Sequence, residues 1–250
     1  MTGKTLTSID IMSGRYLKSP PAGYEDISLE LPLNVLGTGV HGKFMYWLLE
    51  GAWSVWSTLG MTGQWSSDGN KHTRVEFSVS GEKIFYNDIR NFGTLKFVKG
   101  PKPLVEKLES LGPDLLSEEC PPGLFIACLR KQNNKLIVQA LMDQSVVAGV
   151  GNYIKCDSLW MARLAPNRLV KDCSDAELAI LNRSIKTVMR ESFSHGGATF
   201  SNFKNLDGTP GEYGKKFLVY NKKEDLDGNP VIKEATADGR ASWWCPDVQR

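Results

Sequence analysis

The sequence predicts an α+β fold with a β-rich N-terminal part, a helical middle part and a short β-ribbon at the end. Three observations lead to this prediction. Short apolar runs separated by turn signals fill the chain up to about residue 100, apolar side chains then recur every three or four residues to about residue 200, and glycine-containing turns return from residue 207. The predicted segments are therefore 1–103, 104–206 and 207–250.

The N-terminal segment carries the pattern of paired strands. Residues 74–79 alternate with period two, as expected of a half-buried strand. A turn at Gly81-Glu82 joins them to residues 83–86, which predicts a β-hairpin. Many short strands at close spacing predict an antiparallel β-sandwich or barrel for the whole segment.

The later segments predict helices and then a ribbon. Ser174 is a candidate N-cap, and Glu177 three residues later completes a capping box. The helix that starts there ends at His195-Gly196-Gly197. Near the end of the chain, residues 217–220 and 241–244 predict a loop and a small two-stranded ribbon.

Composition limits the class of protein. The 250 residues are 41% hydrophobic with a net charge of +2, and we find neither an apolar run long enough to span a membrane nor a secretory signal. The 5 cysteines contain no Cys-x-x-Cys pair, so neither a disulfide framework nor a cysteine zinc site is expected. This cysteine usage fits a reducing, intracellular setting.

The most informative run is MDQSVVAGVGNY at residues 142–153. It predicts a helix that ends, a turn built on Gly149 and Gly151, and a second helix with Asn152 as a candidate N-cap. Glycines let another backbone approach closely, and helix N-termini bind phosphate. This is the geometry of a hairpin that grips a nucleic-acid backbone.

With its neighbours, this run resembles the helix–two-turn–helix (H2TH) module of the Fpg/Nei family of base-excision DNA glycosylases. The match covers nearly the whole chain in family order. Its other segments are Gly42-Lys43-Phe44, Leu59-Gly60-Met61-Thr62-Gly63, Asp88-x-Arg90-x-Phe92-Gly93, and a tail containing Asp207-Gly208, Val219-Tyr220, Asp238-Gly239-Arg240 and Cys245-Pro246. The resemblance implies an N-terminal β-sandwich, a central H2TH domain and a C-terminal hairpin finger.

The resemblance also implies an activity. Family members remove oxidised bases from duplex DNA by base flipping, through a Schiff base, and then cleave the strand by β- and δ-elimination as AP lyases. The expected partner is damaged double-stranded DNA, and we expect a monomer that needs no cofactor and no membrane. The expected location is inside the cell, with the DNA.

Seven residues receive roles by this resemblance. Extruding a base costs a few kcal/mol, and side chains fill the gap. A thioether, a guanidinium and an aromatic ring can all stack there, although apolar side chains more often belong to a core. The expected void fillers are Met61, Arg90 and Phe92. The expected DNA contacts are Lys43, His72, Asn152 and Arg240, and Lys43 and Arg240 also have lyase roles.

The finger departs from the family pattern of two Cys-x-x-Cys pairs around zinc. Residues 221–231 contain no cysteine, and Val248 stands where Cys245 would need its partner. One thiol cannot hold a tetrahedral zinc ion, so the chain resembles the zincless members. We hypothesise that packing of Trp243 and Trp244 takes over the role of zinc.

The family's N-terminal Pro-Glu segment, with the nucleophilic amine and its acid/base partner, is not in the chain. About twenty residues are missing by this comparison, and we favour a fragment of a normal enzyme. One alternative is a non-catalytic protein that binds damaged or abasic DNA, and a weaker one is an H2TH protein that binds RNA or ribosomes. The loop at residues 211–216 is the expected lid over the lesion, whose identity the sequence leaves open.

Overall fold

The structure is a computed structural model that describes residues 1–117, 120–198 and 209–250. Its residues form two compact units, the first built on Met1–Glu109 and the second on Ser110–Ala198 with Glu212–Arg250. Within the described ranges, no helix is both long and apolar enough to cross a membrane. The three-segment division stays a prediction. Residues 207 and 208, where the last predicted segment begins, lie outside the described residues.

In the described residues, the first unit is an antiparallel sheet with two α-helices and two short 3-10 helices, Gly14–Leu17 and Glu50–Ala52. Its strands and α-helices are β1 (Thr5–Ile11), α1 (Tyr24–Glu30), β2 (Leu33–His41), β3 (Phe44–Leu49), β4 (Trp53–Thr58), β5 (Gly63–Ser66), β6 (Thr73–Val79), β7 (Glu82–Asp88), β8 (Thr94–Lys99) and α2 (Pro101–Glu109). The strand order is β5-β7-β6-β1-β2-β3-β4-β8. The predicted antiparallel β domain is confirmed.

The sheet folds over so that its two halves share an aromatic core. The ring centroid of Trp47 in β3 lies 4.9 Å from that of Trp65 in β5 and 5.3 Å from that of Phe77 in β6. Strand β3 pairs with neither β5 nor β6, so these contacts cross between layers. All three side chains are buried, which is the arrangement expected of a sandwich.

The predicted hairpin between β6 and β7 is confirmed, but its turn lies one residue earlier than the predicted Gly81-Glu82, since Glu82 already belongs to β7. Val79 pairs with Glu82, and the two residues between them make the turn. Ser80 and Gly81 have φ of +49° and +83°. Two left-handed residues in sequence give a turn whose twist matches that of the flanking strands.

The second unit is helical and ends in a ribbon. Its described elements are α3 (Pro122–Arg130), α4 (Ile137–Met142), α5 (Asn152–Met161), α6 (Asp175–Ser194), β9 (Ile232–Ala235) and β10 (Ala241–Trp244). The capping box of α6 is confirmed, since the Ser174 N–H donates to the Glu177 carboxylate at 2.7 Å and the Glu177 N–H to the Ser174 hydroxyl at 3.3 Å. Leu159 of α5 and Ile185 of α6 are fully buried in the core that the helices share.

The predicted C-terminal ribbon is confirmed. Strand β10 pairs antiparallel with β9, with Ala241 opposite Ala235 and Trp244 opposite Ile232. The partner of residues 241–244 is therefore this nearby strand. Residues 217–220 are not a strand of this ribbon. Their backbone is bound instead by the Asp157 side chain of α5.

Candidate nucleic-acid interface

Three side chains from two neighbouring loops of the first unit form one exposed cluster. Met61 is 67% exposed and Phe92 is 56% exposed. The guanidinium carbon of Arg90 lies 4.6 Å from the centroid of the Phe92 ring, and its Nη1 donates to the Met61 sulfur at 3.5 Å. We call Met61, Arg90 and Phe92 the wedge cluster. Their exposure rules out the alternative in which Met61 and Phe92 are core residues.

Asp88 joins the two loops that carry the wedge cluster, which we call the wedge loops. Its buried carboxylate accepts hydrogen bonds from the Thr62 hydroxyl at 2.6 Å and the Arg90 N–H at 3.2 Å through Oδ1, and from the Gly93 N–H at 2.7 Å through Oδ2. Gly93 has no room for a side chain, because a Cβ atom there would lie 1.9 Å from the Tyr86 hydroxyl. The aspartate and glycine of this motif therefore hold the exposed residues between them.

A buried arginine fixes the backbone that leads into the wedge cluster. Arg74 donates from Nε to the Asp88 carbonyl at 2.7 Å and from Nη2 to the Ile89 carbonyl at 3.2 Å. Its Nη1 donates to the Ser13 hydroxyl at 2.8 Å. Sequence reasoning missed this residue, although a charged side chain in the predicted strand at 74–79 was a signal that could have found it.

The other two predicted DNA contacts of the first unit lie next to strands. Lys43 is exposed in the turn between β2 and β3. His72 is half-buried just before β6, where its N–H donates to the Asn70 side chain at 2.7 Å and its carbonyl accepts from the Asp88 N–H at 3.0 Å. These bonds fix the main chain of His72 beside the wedge loops. The roles of Lys43 and His72 in DNA binding stay predictions.

The turn before α5 differs from its prediction at one position. Helix α5 begins at Asn152, and the N-cap is Gly151, so the prediction of Asn152 as N-cap is wrong. Gly151 is extended, a backbone conformation that suits an N-cap, and Gly149 has φ of +97°, which favours glycine. The Asn152 side chain instead donates from Nδ2 to the Ala241 carbonyl at 2.9 Å.

Two predicted DNA contacts therefore lie close together in the second unit. Arg240 is exposed and directly precedes Ala241, the residue that Asn152 binds. The Arg240 carbonyl accepts the Thr236 N–H at 2.8 Å, which closes the turn between β9 and β10. The first turn of α5, at Asn152, therefore lies next to the hairpin residue that follows Arg240.

Further along α5, Asp157 holds the segment that leads into the hairpin. Its buried carboxylate accepts the main-chain N–H groups of residues 218, 219 and 220 at 3.2, 3.0 and 2.9 Å. Burial raises the pKa of Asp157 although these three donors act in the opposite direction. Sequence reasoning missed this residue, because its partners lie about sixty residues away.

The predicted lid at residues 211–216 is anchored by an aromatic side chain. Tyr213 is buried, with its ring centroid 5.8 Å from Tyr153 and 5.7 Å from Phe217. Its N–H donates to the Gly197 carbonyl at 3.0 Å. Contact with a lesion by this segment stays a prediction.

Comparison with known proteins identifies the family. The family model for the formamidopyrimidine-DNA glycosylase N-terminal domain matches residues 1–95, and that for the formamidopyrimidine-DNA glycosylase H2TH domain matches residues 111–204. The chain belongs to the formamidopyrimidine-DNA glycosylase (Fpg/Nei) family. By family it is therefore an enzyme of the DNA glycosylase class.

Individual Fpg proteins are similar to this chain along most of its length. A Thermus thermophilus formamidopyrimidine-DNA glycosylase is 33% identical over 237 residues, which are 92% of this chain and 87% of the relative. A Prochlorococcus marinus relative is 36% identical over 184 residues, 71% of this chain and 64% of its own length. A Lactococcus lactis Fpg solved with DNA containing an abasic site covers 100% of this chain and 94% of its own, with a TM-score of 0.86 and 25% identity.

The Fpg/Nei finger of this chain does not fit a zinc ion. Cys245 is buried and its N–H donates to the Gln249 side chain at 2.8 Å, while the position three residues on is Val248. Among the described residues, no group of three or more His, Cys, Asp and Glu side chains could hold a metal ion. A single thiol next to an apolar side chain cannot supply four ligands.

The two tryptophans proposed to replace zinc have separate contacts. Trp243 packs on Tyr220 with ring centroids 4.4 Å apart, and its N–H donates to the Cys156 sulfur at 3.4 Å. Trp244 donates from its indole to the Glu234 carboxylate at 3.0 Å. Trp243 therefore joins the hairpin to α5 and to the preceding segment, whereas the hydrogen bond of Trp244 stays within the ribbon. Their replacement of zinc remains a hypothesis.

Proposed function

We propose that this protein excises oxidised bases from duplex DNA by base flipping and then cleaves the abasic product as an AP lyase. The observation that carries the proposal is the wedge cluster. An exposed ring and an exposed thioether that both contact one guanidinium have no folding role that requires their exposure. Membership of the Fpg/Nei family supports the same activity.

The wedge cluster suits the first step of such a reaction. Turning a base out of a duplex leaves a gap and costs a few kcal/mol, which inserted side chains offset. Phe92 and Met61 offer apolar surface to neighbouring bases, and the planar guanidinium of Arg90 can stack and donate hydrogen bonds. Asp88 holds the loops that carry them, so the surface is set before DNA arrives.

The charged residues suit backbone recognition. Arg240 is exposed on a closed turn, and an arginine can bind phosphate through two parallel hydrogen bonds. Lys43 is exposed in a turn and offers an amine. We assign Lys43, Asn152 and Arg240 to phosphates near the lesion, and His72 to a further contact with DNA. For Asn152, the bond to Ala241 adds a second role in holding the hairpin.

The lyase step needs an amine that attacks the sugar C1′ atom and forms a Schiff base. In the family this amine belongs to an N-terminal proline, and the lysine that corresponds to Lys43 and the arginine that corresponds to Arg240 serve the elimination steps. If an adduct forms through a residue other than an N-terminal proline, Lys43 is our first candidate for the attacking amine.

Borohydride trapping on duplex DNA with one abasic site tests the activity. A covalent protein–DNA adduct supports an enzyme that forms a Schiff base. Specific binding without an adduct would instead favour the non-catalytic binder of damaged DNA, and preference for RNA over abasic duplex would favour the RNA-binding alternative. An unchanged adduct in Lys43→Ala would remove Lys43 as the amine.

Light scattering of the complex with DNA tests the proposed monomer. For a monomer, we expect one protein molecule to be bound at each lesion.

A further inference from the structure

One buried ion pair in the second unit has no place in the functions assigned so far. Lys155 donates from Nζ to Asp238 Oδ2 at 2.6 Å, and the two side chains are 0% and 1% exposed. Lysine is almost never fully buried unless it is paired, because removing its charge from water is costly. The pair joins α5 to the turn between β9 and β10 across 83 residues of sequence.

The pair acts on the turn that carries Arg240. The other oxygen of Asp238, Oδ1, accepts the Thr236 hydroxyl at 2.6 Å, and the Thr236 N–H donates to the Arg240 carbonyl at 2.8 Å. Gly239 has φ of +76°, so the turn uses a left-handed residue between Asp238 and Arg240. The Asp238 carboxylate therefore binds both Lys155 of α5 and Thr236, the residue whose N–H closes the turn.

Helix α5 binds the hairpin on both sides of Arg240. Asp238 is two residues before Arg240 and is held by Lys155, while Ala241 follows it and is held by Asn152. Burial alone would raise the pKa of Asp238, but the hydrogen bonds from Lys155 and Thr236 and the positive charge of Lys155 outweigh it and keep that pKa below its usual range. The carboxylate is thus ionised at neutral pH.

These contacts explain how the hairpin can be held without zinc. The donor set for zinc is incomplete, yet the hairpin is closed and its turn is fixed. A metal would supply positive charge that binds anionic ligands from two parts of a finger. Here a buried ammonium group supplies positive charge to a carboxylate of the turn, from a helix outside the ribbon.

We propose that Lys155 and Asp238 are positioning residues that share the structural role of zinc with the packing hypothesised for Trp243 and Trp244, and that they set the place of Arg240 on the hairpin. The pair does not touch DNA and acts through Arg240. Its effect on DNA binding rests on the proposed function, whereas its effect on the hairpin does not. The two effects are therefore measured separately.

Hydrogen exchange of the chain without DNA tests the effect on the hairpin. We expect Asp238→Asn to speed exchange of amides in residues 232–244 by about tenfold or more, with exchange in α6 unchanged, because the lost pair is local. The matched control is Asp175→Asn, which removes the carboxylate paired with Arg130 at 2.5 Å in the same unit. Unchanged hairpin exchange in Asp238→Asn would overturn the proposal.

A double-mutant cycle on an abasic-analogue duplex tests the action through Arg240. We expect Arg240→Ala and Asp238→Asn each to weaken binding by about tenfold, and the double variant to be no weaker than Arg240→Ala alone. Full additivity would overturn the positioning role. If Arg240→Ala binds as the unmodified chain does, the DNA role of Arg240 fails, and hydrogen exchange still decides whether the pair holds the hairpin.

A second variant guards against loss of folding. Replacing both partners with apolar residues, Lys155→Met with Asp238→Leu, removes the unpaired buried charge that a single change leaves. We expect this double variant to regain thermal stability while hairpin exchange stays fast and DNA binding stays weak, because the Thr236 bond is not restored. Recovery of full DNA affinity would show that packing suffices and would contradict the proposal.

Discussion

The guanidinium of Arg90 lies over the ring of Phe92, with its central carbon 4.6 Å from the ring centroid. This contact joins a cation and an aromatic ring at an exposed site, where such an interaction contributes about 0.5–1 kcal/mol. The pair is held from behind by Asp88, which accepts the N–H groups of Arg90 and Gly93. The two side chains therefore stack on each other at the surface, and Asp88 binds the backbone on either side of Phe92.

Replacing Phe92 with alanine tests this surface. We expect Phe92→Ala to lower the ratio of affinities for abasic-analogue and intact duplex by about tenfold, because stacking of an aromatic side chain on a base is worth about 1–3 kcal/mol. Competition binding with the two duplexes measures the ratio. Phe193→Ala is the matched control, since Phe193 is a 76% exposed phenylalanine on α6. Equal losses on both duplexes would count against the wedge assignment.

Replacing Asp88 is expected to lower both the stability of the protein and its preference for lesions. Asp88→Asn removes the charge and misplaces a donor against the Arg90 and Gly93 N–H groups. We expect the free energy of unfolding to fall by about 2 kcal/mol, and lesion preference to fall even where the protein is folded. Denaturant titration and competition binding measure the two effects. Asp26→Asn, at an exposed position on α1, should change neither.

Local patterns in the sequence predicted the elements whose contacts are local. The capping box at Ser174 and the hairpin after Val79 depend on residues a few positions apart, and both are confirmed. The wedge residues came from the family resemblance, because neither Met61 nor Phe92 differs in local pattern from a core residue.

Sequence reasoning failed where a distant partner decides the role of a side chain. Asn152 has the chemistry of an N-cap, but its amide binds the Ala241 carbonyl 89 residues away, and Gly151 caps the helix instead. Lys155 lies in a helix pattern that gives no sign of Asp238. Such pairs follow from how segments pack, which single-sequence periodicity does not report.

Acid should weaken the second unit through Glu177. A hydrogen bond from Arg168 is the main cause that lowers the pKa of Glu177 to about 2 from its ordinary 4.5. A lowered folded-state pKa stabilises above the unfolded pKa, so this contribution is present above pH 4.5 and is lost as pH falls toward 2. With solvent screening, we expect it to be about 1–2 kcal/mol.

Urea unfolding at several pH values checks this contribution. Glu177→Gln should be less stable than the unmodified chain at neutral pH, and the difference should shrink below pH 4.5. Glu109→Gln, at an exposed position in the last turn of α2, serves as the control. A difference that stays constant from neutral pH to pH 2 would contradict the assignment.

The finger should be independent of metal. Because Cys245 has no second thiol within its motif and Lys155 already pairs with Asp238, we expect chelators to change neither DNA affinity nor thermal stability. Elemental analysis of the purified protein measures bound zinc directly. One equivalent of zinc per chain would show that the finger holds a metal and would remove the basis for its replacement by the ion pair.

Photo-crosslinking from position 92 tests the central claim most directly. Phe92 is replaced by a photoreactive benzoyl-phenylalanine, and the chain is bound to a duplex with one abasic-site analogue before irradiation. If the wedge cluster occupies the gap left by an everted nucleotide, crosslinks will map to the lesion and to the bases that flank or face it. Crosslinks spread evenly along the duplex, or found only on the sugar–phosphate backbone away from the lesion, would contradict the account.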